Sequence, residues 1–312
     1  LKDGYTKLTY FHLYTGGAYC SNFQDFQDWV IPDTLLTIAN IRGVRNSNKS
    51  NWGALDNFNF KNLTYFGLEC QFESADLSNN TSFDSFINRY TSFSLAWESS
   101  KNLKFDLSKF NRSTPKYGIT NIYFPANDEN LCFGDATNLL KNTTYNIILS
   151  TSKDKSLIYG VLPESGDSFY TNATIYLDNN SISATPTAIK YIANKICWPV
   201  FINLDNFTGD ISGCNFGKSL NNSNGFSFGV RLTYMKNLYA DVTTFTWNGS
   251  QYTDANVGYF PIYFSNNPHF TGDLGNFPLW RNKSVIDLSN CAYTNVPGFI
   301  RNVFNNRTTC LK

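Results

Sequence analysis

Short runs of Phe, Tyr, Ile, Val and Thr, broken every few residues by Asn, Gly, Asp or Ser, occur along the whole chain. This pattern is typical of β-strands separated by turns, whereas helical periodicity is weak and confined to residues 83–90 and 134–141. Many regularly spaced strands favour a sandwich or barrel over a parallel α/β sheet. The sequence therefore predicts an all-β fold, an antiparallel β-sandwich, and it indicates no internal repeat.

Two hairpins are predicted within this pattern. Residues 144–162 place the polar segment Lys153-Asp154-Lys155 between two apolar runs, as a hairpin tip would. Residues 239–253 contain Asn248-Gly249, which is a strong hairpin signal because both residues adopt positive φ.

Thirteen N-x-[ST] sequons are spread over the chain, and each is a possible acceptor of an N-linked glycan at the surface of a secreted protein. Charged residues make up only 16% of the chain, against about 25% in an average soluble domain. Glycans would supply the solubility that charge does not. The predicted glycosylation sites are Asn48, Asn62, Asn79, Asn80, Asn111, Asn142, Asn172, Asn179, Asn206, Asn221, Asn248, Asn282 and Asn306.

The charge balance and hydropathy exclude some partners. A net charge of +1 gives no overall attraction to a polyanion, so nucleic acid is not expected as a partner. No run of eighteen apolar residues predicts a transmembrane helix. The sequence also begins without Met or an apolar leader, which is what we expect of a mature ectodomain.

The cysteine pattern indicates an oxidising compartment. The chain has seven cysteines, no C-x-x-C pair and only two histidines, so neither a metal site nor a cofactor is expected. Disulfides are the better interpretation. Short loops favour Cys197 with Cys214 and Cys291 with Cys310. Three cysteines remain, so one of their thiols is free or lacks its partner: Cys20, Cys70 and Cys132.

One triplet raises the possibility of catalysis. Gly166-Asp167-Ser168 is a GDS triplet, in which one class of esterases places its nucleophilic serine. Such an enzyme also needs Asp-x-x-His, so that the His takes the serine proton and the Asp orients the ring. Here Asn266 stands three residues before His269. No catalytic residue is therefore predicted, and a secreted carbohydrate-active or esterase-like enzyme is kept as an alternative.

Aromatic residues make up 17% of the chain, and most of them are expected in the core. Exposed Tyr and Trp side chains anchor protein interfaces and stack on sugars. Trp247, next to the predicted turn, and Tyr252, across the same hairpin, are the candidate ligand-binding residues. Core packing is the alternative interpretation for Trp247.

Residues 168–236 contain a more specific series of short motifs. It runs Tyr176-Leu177, Asn180-Ser181, Cys197-Trp198-Pro199-Val200, Cys214-Asn215, Asn221-Asn222-Ser223 and Val230-Arg231-Leu232. This series resembles part of the N-terminal domain of coronavirus spike glycoproteins, especially the alphacoronavirus type. The family has one residue between the Cys and the Trp, whereas this sequence has none, and the match covers under a quarter of the chain.

The resemblance implies a galectin-like β-sandwich that is part of a trimeric fusion glycoprotein and binds a host sugar or protein receptor. It also supports the pairing of Cys197 with Cys214. We divide the chain into a β-sandwich receptor-binding domain of residues 1–275 and a small C-terminal connector or subdomain of residues 276–312.

These features together predict a non-catalytic, extracellular attachment domain on a virion surface. Its predicted partners are a host-cell surface glycan or protein receptor, the remainder of the fusion glycoprotein, and neutralising antibodies. A non-viral adhesin is a further alternative.

Overall fold

The computed structural model describes sixteen segments of the chain, which divide into two compact units, residues 1–159 and residues 160–312. The described segments are residues 7–14, 34–42, 61–69, 75–89, 92–96, 103–111, 119–124, 131–142, 146–151, 154–166, 173–196, 198–216, 229–247, 261–278, 285–305 and 310–311.

The described part of the first unit contains ten strands and two short helices, the last strand ending just inside the second unit. In chain order they are β1 (Tyr10–Tyr14), β2 (Thr37–Arg42), β3 (Tyr65–Glu69), β4 (Ala75–Asp76), α1 (Thr81–Ile87), β5 (Ser92–Ala96), β6 (Leu103–Asp106), β7 (Ile119–Phe124), β8 (Leu131–Asp135), α2 (Thr137–Asn142), β9 (Asn146–Ser150) and β10 (Ile158–Val161).

The described part of the second unit continues with thirteen strands and two helices. They are β11 (Thr174–Asp178), β12 (Ser181–Ser183), α3 (Pro186–Lys195), β13 (Trp198–Ile202), β14 (Gly209–Asp210), β15 (Asn215–Phe216), β16 (Val230–Thr233), β17 (Leu238–Asp241), β18 (Thr246–Trp247), β19 (Ile262–Tyr263), β20 (Phe270–Asp273), β21 (Val285–Asp287), β22 (Ala292–Thr294), α4 (Val296–Asn305) and β23 (Cys310–Leu311). The predicted boundary at residue 275 falls inside this unit, where β21 pairs with β19 and β22 pairs with β20.

Every strand pairing among the described residues is parallel, so the predicted antiparallel, galectin-like β-sandwich is wrong. In the first unit the long sheet has the order β1-β2-β3-β5-β7-β9. In the second unit it has the order β11-β13-β16-β19-β21-β23. Alternation of apolar and polar residues along a strand indicates that one face of the strand is buried. It does not indicate whether the neighbouring strands are parallel or antiparallel.

The first predicted hairpin is also wrong, whereas the turn and second strand of the other, residues 248–253, lie outside the described residues. β9 and β10 follow one another in the chain but join different sheets, because β9 pairs with β7 and β10 pairs with β8. In the second case β17 pairs with β20, and β18 pairs with β15. Consecutive strands thus lie on successive sides of one turn of the chain, which we call a coil. Each strand pairs with a strand of the next coil.

The chain is therefore a repeat structure in which a strand returns to the same position after each coil. Tyr176 pairs with Val200, Val200 with Arg231, and Arg231 with Tyr263, so coils of the second unit differ in length. Inward positions read Ile175-x-Leu177-x-x-Asn180, Ile262-x-Phe264-x-x-Asn267 and Ile286-x-Leu288-x-x-Cys291, which is the spacing of a leucine-rich repeat coil. The expectation of no internal repeat fails because Phe, Ile and Val replace Leu while coil length varies.

Aromatic rings fill the interior between the sheets of the second unit. Phe216, Phe245, Phe264 and Phe270 are each at most 2% exposed. Their rings pack edge to face or tilted, with centroids 5.2 Å apart for Phe216 and Phe245 and 5.9 Å apart for Phe264 and Phe270. Such geometry is favourable for aromatic pairs, so these four phenylalanines stabilise the core of the second unit.

Asn267 ties its coil to the preceding one by side-chain hydrogen bonds. It is fully buried. Its Nδ2 donates to the carbonyls of Leu232 at 2.7 Å and Phe264 at 3.0 Å, and its Oδ1 accepts from the N–H of Met235 at 2.8 Å. The side chain thereby satisfies three backbone groups where the chain bends away from the strand.

Cys291 occupies the equivalent position one coil further on. Its thiol donates to the carbonyl of Phe264 at 2.9 Å and accepts from the N–H of Asn267 at 3.4 Å. We expect Cys291→Asn to change the melting temperature by no more than a few degrees under non-reducing conditions, because the amide supplies the same donor and acceptor. A fall of the size that follows loss of a native disulfide, about 2–5 kcal/mol, would instead support the pairing with Cys310. Cys310→Ser is the matched control.

Asp-x-Ser/Thr turns connect coils on another side of the structure. In each turn the Asp carboxylate accepts from the N–H two residues later, at 3.0 Å for Asp241 and Thr243. The hydroxyl of Ser108 accepts from the N–H of Asp135, and that of Ser212 accepts from the N–H of Asp241, each at 2.8 Å. Turns of this type, one of them with Gly in place of the hydroxyl residue, begin at Asp76, Asp106, Asp135, Asp154, Asp210, Asp241 and Asp273. One more begins at Asp287, at the end of β21 in the long sheet.

Candidate functional site

One face of the long sheet in the second unit is lined by polar and aromatic side chains, and we call it the outer face. Side chains alternate along each strand, so the residues between the fully buried Ile175, Leu177, Leu232 and Ile262 point away from the core. The outer face is formed by Thr174, Tyr176, Asp178, Trp198, Val200, Ile202, Arg231, Thr233, Tyr263, Ser265, Val285 and Asp287.

Arg231 is the only cation of the outer face among the residues that the structure describes. Its guanidinium carbon lies 5.5 Å from the centroid of the Tyr263 ring, which is a cation–π contact with the next strand. Its Nε is buried and has no hydrogen-bond partner in the described segments. A half-buried guanidinium without an anion is unfavourable by itself and is the arrangement expected where an anionic ligand binds.

Two further polar groups of the outer face are buried and lack a partner within the described segments. They are the indole Nε1 of Trp198 and the hydroxyl of Thr233. Val200 pairs with Arg231, so Trp198 lies one strand away from Arg231 and two residues along, roughly 8 Å by ordinary strand spacing. Unsatisfied buried polar groups are few in native proteins, so these two groups together with the Arg231 Nε mark a candidate site.

A column of residues with positive φ follows the strands of the outer face. Asn179, Asn203, Asn266 and Asn290 have φ between 50° and 61°. Asn203 donates to the Oδ1 of Asn179 at 3.0 Å, and Asn290 donates to the Oδ1 of Asn266 at 2.9 Å. Asn tolerates this backbone conformation better than other residues with a side chain, so its recurrence here has a local cause.

Tyr234 interrupts this column between Asn203 and Asn266. It has φ of 60° and its side chain is half exposed. A bulky residue in the left-handed region is an outlier, and such strain occurs most often at functional sites. The Asn pairs stop on both sides of it, so Tyr234 replaces a favourable amide contact with an exposed aromatic ring.

Within the described segments, the cysteine thiols and His269 are not placed as a nucleophile and its base. Burial raises the pKa of the Cys132 and Cys291 thiols and raises that of Cys214 to about 12, so these thiols stay protonated at neutral pH. The ring of His269 stacks on Tyr239 with centroids 4.3 Å apart. Gly166 is exposed, and Asp167 and Ser168 lie outside the described residues.

The described segments give no support for a bound metal or for the expected disulfides. No group of three or more His, Cys, Asp or Glu residues in them could hold a metal ion. Cys132, Cys214 and Cys291 are free thiols, so neither predicted pair is formed in the structure, and Cys197 lies outside the described residues. No helix in these segments is both long and apolar enough to cross a membrane.

The predicted ligand-binding residues are not those of the outer face. Trp247 ends β18, where its backbone pairs with Phe216, and its side chain is not among those described. Tyr252 lies outside the described residues. Sequence reasoning missed Arg231 and Tyr234 as site residues, although Arg231 was visible as a charged residue between the apolar Val230 and Leu232. Nothing in the sequence shows the positive φ of Tyr234.

The predicted glycosylation sites have different surroundings. Asn79, Asn111 and Asn206 are exposed, and Asn62 and Asn179 are half-buried. Asn80 is buried. The side chain of Asn142 is not described, and the remaining sites lie outside the described residues: Asn48, Asn172, Asn221, Asn248, Asn282 and Asn306.

The adjacent sequons Asn79 and Asn80 give a direct test. The Oδ1 of Asn80 accepts from the N–H of Phe83 at 2.9 Å and from the hydroxyl of Ser82 at 2.8 Å, which caps α1. We therefore expect a glycan on Asn79 and none on Asn80. Peptide mass spectrometry of the secreted variants measures this. The glycan should be absent from the Asn79→Gln protein and present on the Asn80→Gln protein. A glycan that persists in Asn79→Gln would contradict the prediction.

Comparison of the chain with models of protein families, with curated proteins and with solved structures gave no match. The fold and the outer face themselves define the class: a parallel coil structure with leucine-rich repeat spacing and a polar, aromatic sheet face.

Proposed function

We propose that this chain is a non-catalytic, extracellular attachment module that binds a carboxylate-bearing oligosaccharide on the outer face. The observation that carries the proposal is the half-buried guanidinium of Arg231, which lies over the Tyr263 ring and has no anionic partner in the described segments. Arg recognises a carboxylate by two parallel hydrogen bonds, and an aromatic ring fixes the plane of its guanidinium.

The other groups of the outer face suit a sugar. Aromatic rings such as those of Trp198 and Tyr263 offer apolar area to the C–H faces of a pyranose, and their polar atoms bind hydroxyls. The Trp198 indole N–H and the Thr233 hydroxyl are buried and have no partner in the described segments, so a change of side-chain rotamer would let them bond to a sugar hydroxyl. A ligand that satisfies them removes a desolvation cost that the free protein bears.

A peptide ligand is less well supported by the same geometry. An extended peptide binds by adding a strand to a free sheet edge, but β16 is paired on both sides, with β13 and β19. A helical ligand needs an apolar groove, whereas the outer face carries Asp178, Arg231 and Asp287.

The test is binding of the whole chain to defined oligosaccharides by calorimetry, with sialyllactose, a glucuronate-containing disaccharide and neutral lactose as probes. We expect binding to at least one acidic sugar and weaker binding to lactose. Arg231→Met should weaken the acidic interaction roughly 10- to 100-fold, because a hydrogen bond to a charged group contributes about 1.5–3 kcal/mol. Arg301→Met, which removes an exposed charge on α4, is the matched control.

The outcomes separate the ligand classes. Binding that is equal for lactose and sialyllactose would show that no carboxylate is recognised. Binding of peptides but not of sugars from parallel display libraries, lost in Arg231→Met, would show a protein receptor instead. Either result overturns the proposal.

Attachment to a host cell by a viral envelope glycoprotein stays a prediction from the resemblance over residues 168–236. The fold adds no support to it, because the galectin-like sandwich that the resemblance implies is not the fold of this chain. The non-viral adhesin shares the same binding chemistry, and the outer face favours neither origin.

A further inference from the structure

We infer that Tyr234 is a ligand-contacting residue of the outer face and that the protein keeps it there at a loss of stability. This inference rests on the proposed function, since the ligand in question is the same carboxylate-bearing oligosaccharide. It concerns the part of the ligand beyond the carboxylate.

The position of Tyr234 in the column is the first observation. Four of the five equivalent positions hold Asn, and all five have positive φ. The backbone N–H of Tyr234 donates to the carbonyl of Ser265 at 3.4 Å, and that of Asn203 donates to the carbonyl of Thr233 at 3.0 Å, so the coil follows the same path at both residues. The fold thus demands an Asn-like conformation that Tyr adopts at a cost.

The surroundings of Tyr234 are the second, independent observation. It directly follows Thr233, whose hydroxyl has no partner in the described part of the chain, and it stands three residues from Arg231. That separation is about 10 Å in extended backbone, so one monosaccharide held by Arg231 leaves a following sugar near Tyr234. Half of the Tyr234 side chain is exposed and available to that sugar.

If the ligand contacts Tyr234 and the fold disfavours it, substitution of Tyr234 should raise the stability of the protein and lower its affinity for the ligand. We expect Tyr234→Asn to raise the melting temperature by about 2–4 °C, as relief of left-handed strain in a chain of this size would. We expect the same variant to bind the acidic probe about fivefold more weakly, as loss of an aromatic contact would.

Two variants serve as controls. Asn203→Tyr places tyrosine in the same column and should lower the melting temperature. Tyr239→Asn removes another half-exposed tyrosine, one without a positive φ. We expect it to leave the affinity for the probe unchanged and not to raise the melting temperature.

The experiment distinguishes this inference from the proposed function. If wild-type protein binds an acidic probe and Tyr234→Asn binds it equally well, Tyr234 is not a contact while the proposed function stands. If Tyr234→Asn melts no higher than wild type, the stability half is wrong. If wild-type protein binds none of the three probes, both the function and the contact fall together.

Discussion

Asn267→Leu is expected to lower the free energy of unfolding by about 4 kcal/mol, because it removes the side-chain partner of two buried backbone groups, each at about 1–3 kcal/mol. The groups are the Met235 N–H and the Leu232 carbonyl, whereas the Phe264 carbonyl keeps the Cys291 thiol as a donor. Leu has the same branched arrangement of side-chain heavy atoms as Asn but a larger volume, so overpacking adds to the loss of hydrogen bonds. Equilibrium unfolding in urea, followed by circular dichroism, measures it.

Asn237→Leu is the matched control for this change. Asn237 is exposed and donates a single hydrogen bond, to the carbonyl of Asp205 at 2.8 Å. We expect a loss of no more than about 1 kcal/mol there. Equal urea midpoints for the two variants would show that the buried amide is not what holds successive coils together.

Gly272→Ala is expected to destabilise the protein by about 3 kcal/mol, the sum of backbone strain and of overlap in a packed interior. Gly272 has φ of 132°, and a Cβ at this position would lie 2.7 Å from the Asp241 Oδ1 and 2.8 Å from the Thr243 Cγ2. These atoms belong to the Asp-x-Thr turn of the preceding coil, so the methyl group would separate two coils. Thermal unfolding reports the effect as a lower melting temperature.

Gly213→Ala separates the two causes. Gly213 also has positive φ, at 74°, but a Cβ there meets nothing within 4 Å. It should show only the cost of left-handed backbone, about 1–2 kcal/mol. If Gly272→Ala were no worse than Gly213→Ala, close contact between the coils would be ruled out as the reason for glycine.

The sequence predicts strands well and their arrangement poorly. The run 173–178 around Tyr176 is predicted as a strand and is one, whereas the predicted strand 188–204 around Phe201 is the helix α3 up to Lys195 and a strand only from Trp198 to Ile202. Their pairing depends on residues 24 positions apart, as between Tyr176 and Val200, and no local signal reports that distance. The equivalent inward residues share only their size and apolar character: Leu177, Phe201, Leu232 and Phe264. The repeat is therefore not recognisable from residue identity, and it is recognised from the register of the paired strands.

The candidate site was missed for a related reason. Trp247 and Tyr252 are predicted from their nearness to a hairpin turn at residues 248–249, which lie outside the described residues. Arg231 and Trp198 are brought to one face by pairing between coils, which follows from the fold and not from sequence neighbourhood. The odd behaviour of Tyr234 is visible only once its coil is compared with the four coils that hold Asn at that place.

The hydrogen bonds of Asn267, Cys291 and the Asp-x-Ser/Thr turns all reach to the adjoining coil and no further. Whole coils of such a chain can therefore be removed without changing how the remaining strands pair. Removal of residues 200–230, for example, would bring Arg231 into the place of Val200, and each strand would still pair with a strand of the same kind. Growth and shortening by whole coils are therefore compatible with the fold, whereas loss of a few residues within a strand would misalign every contact of that coil.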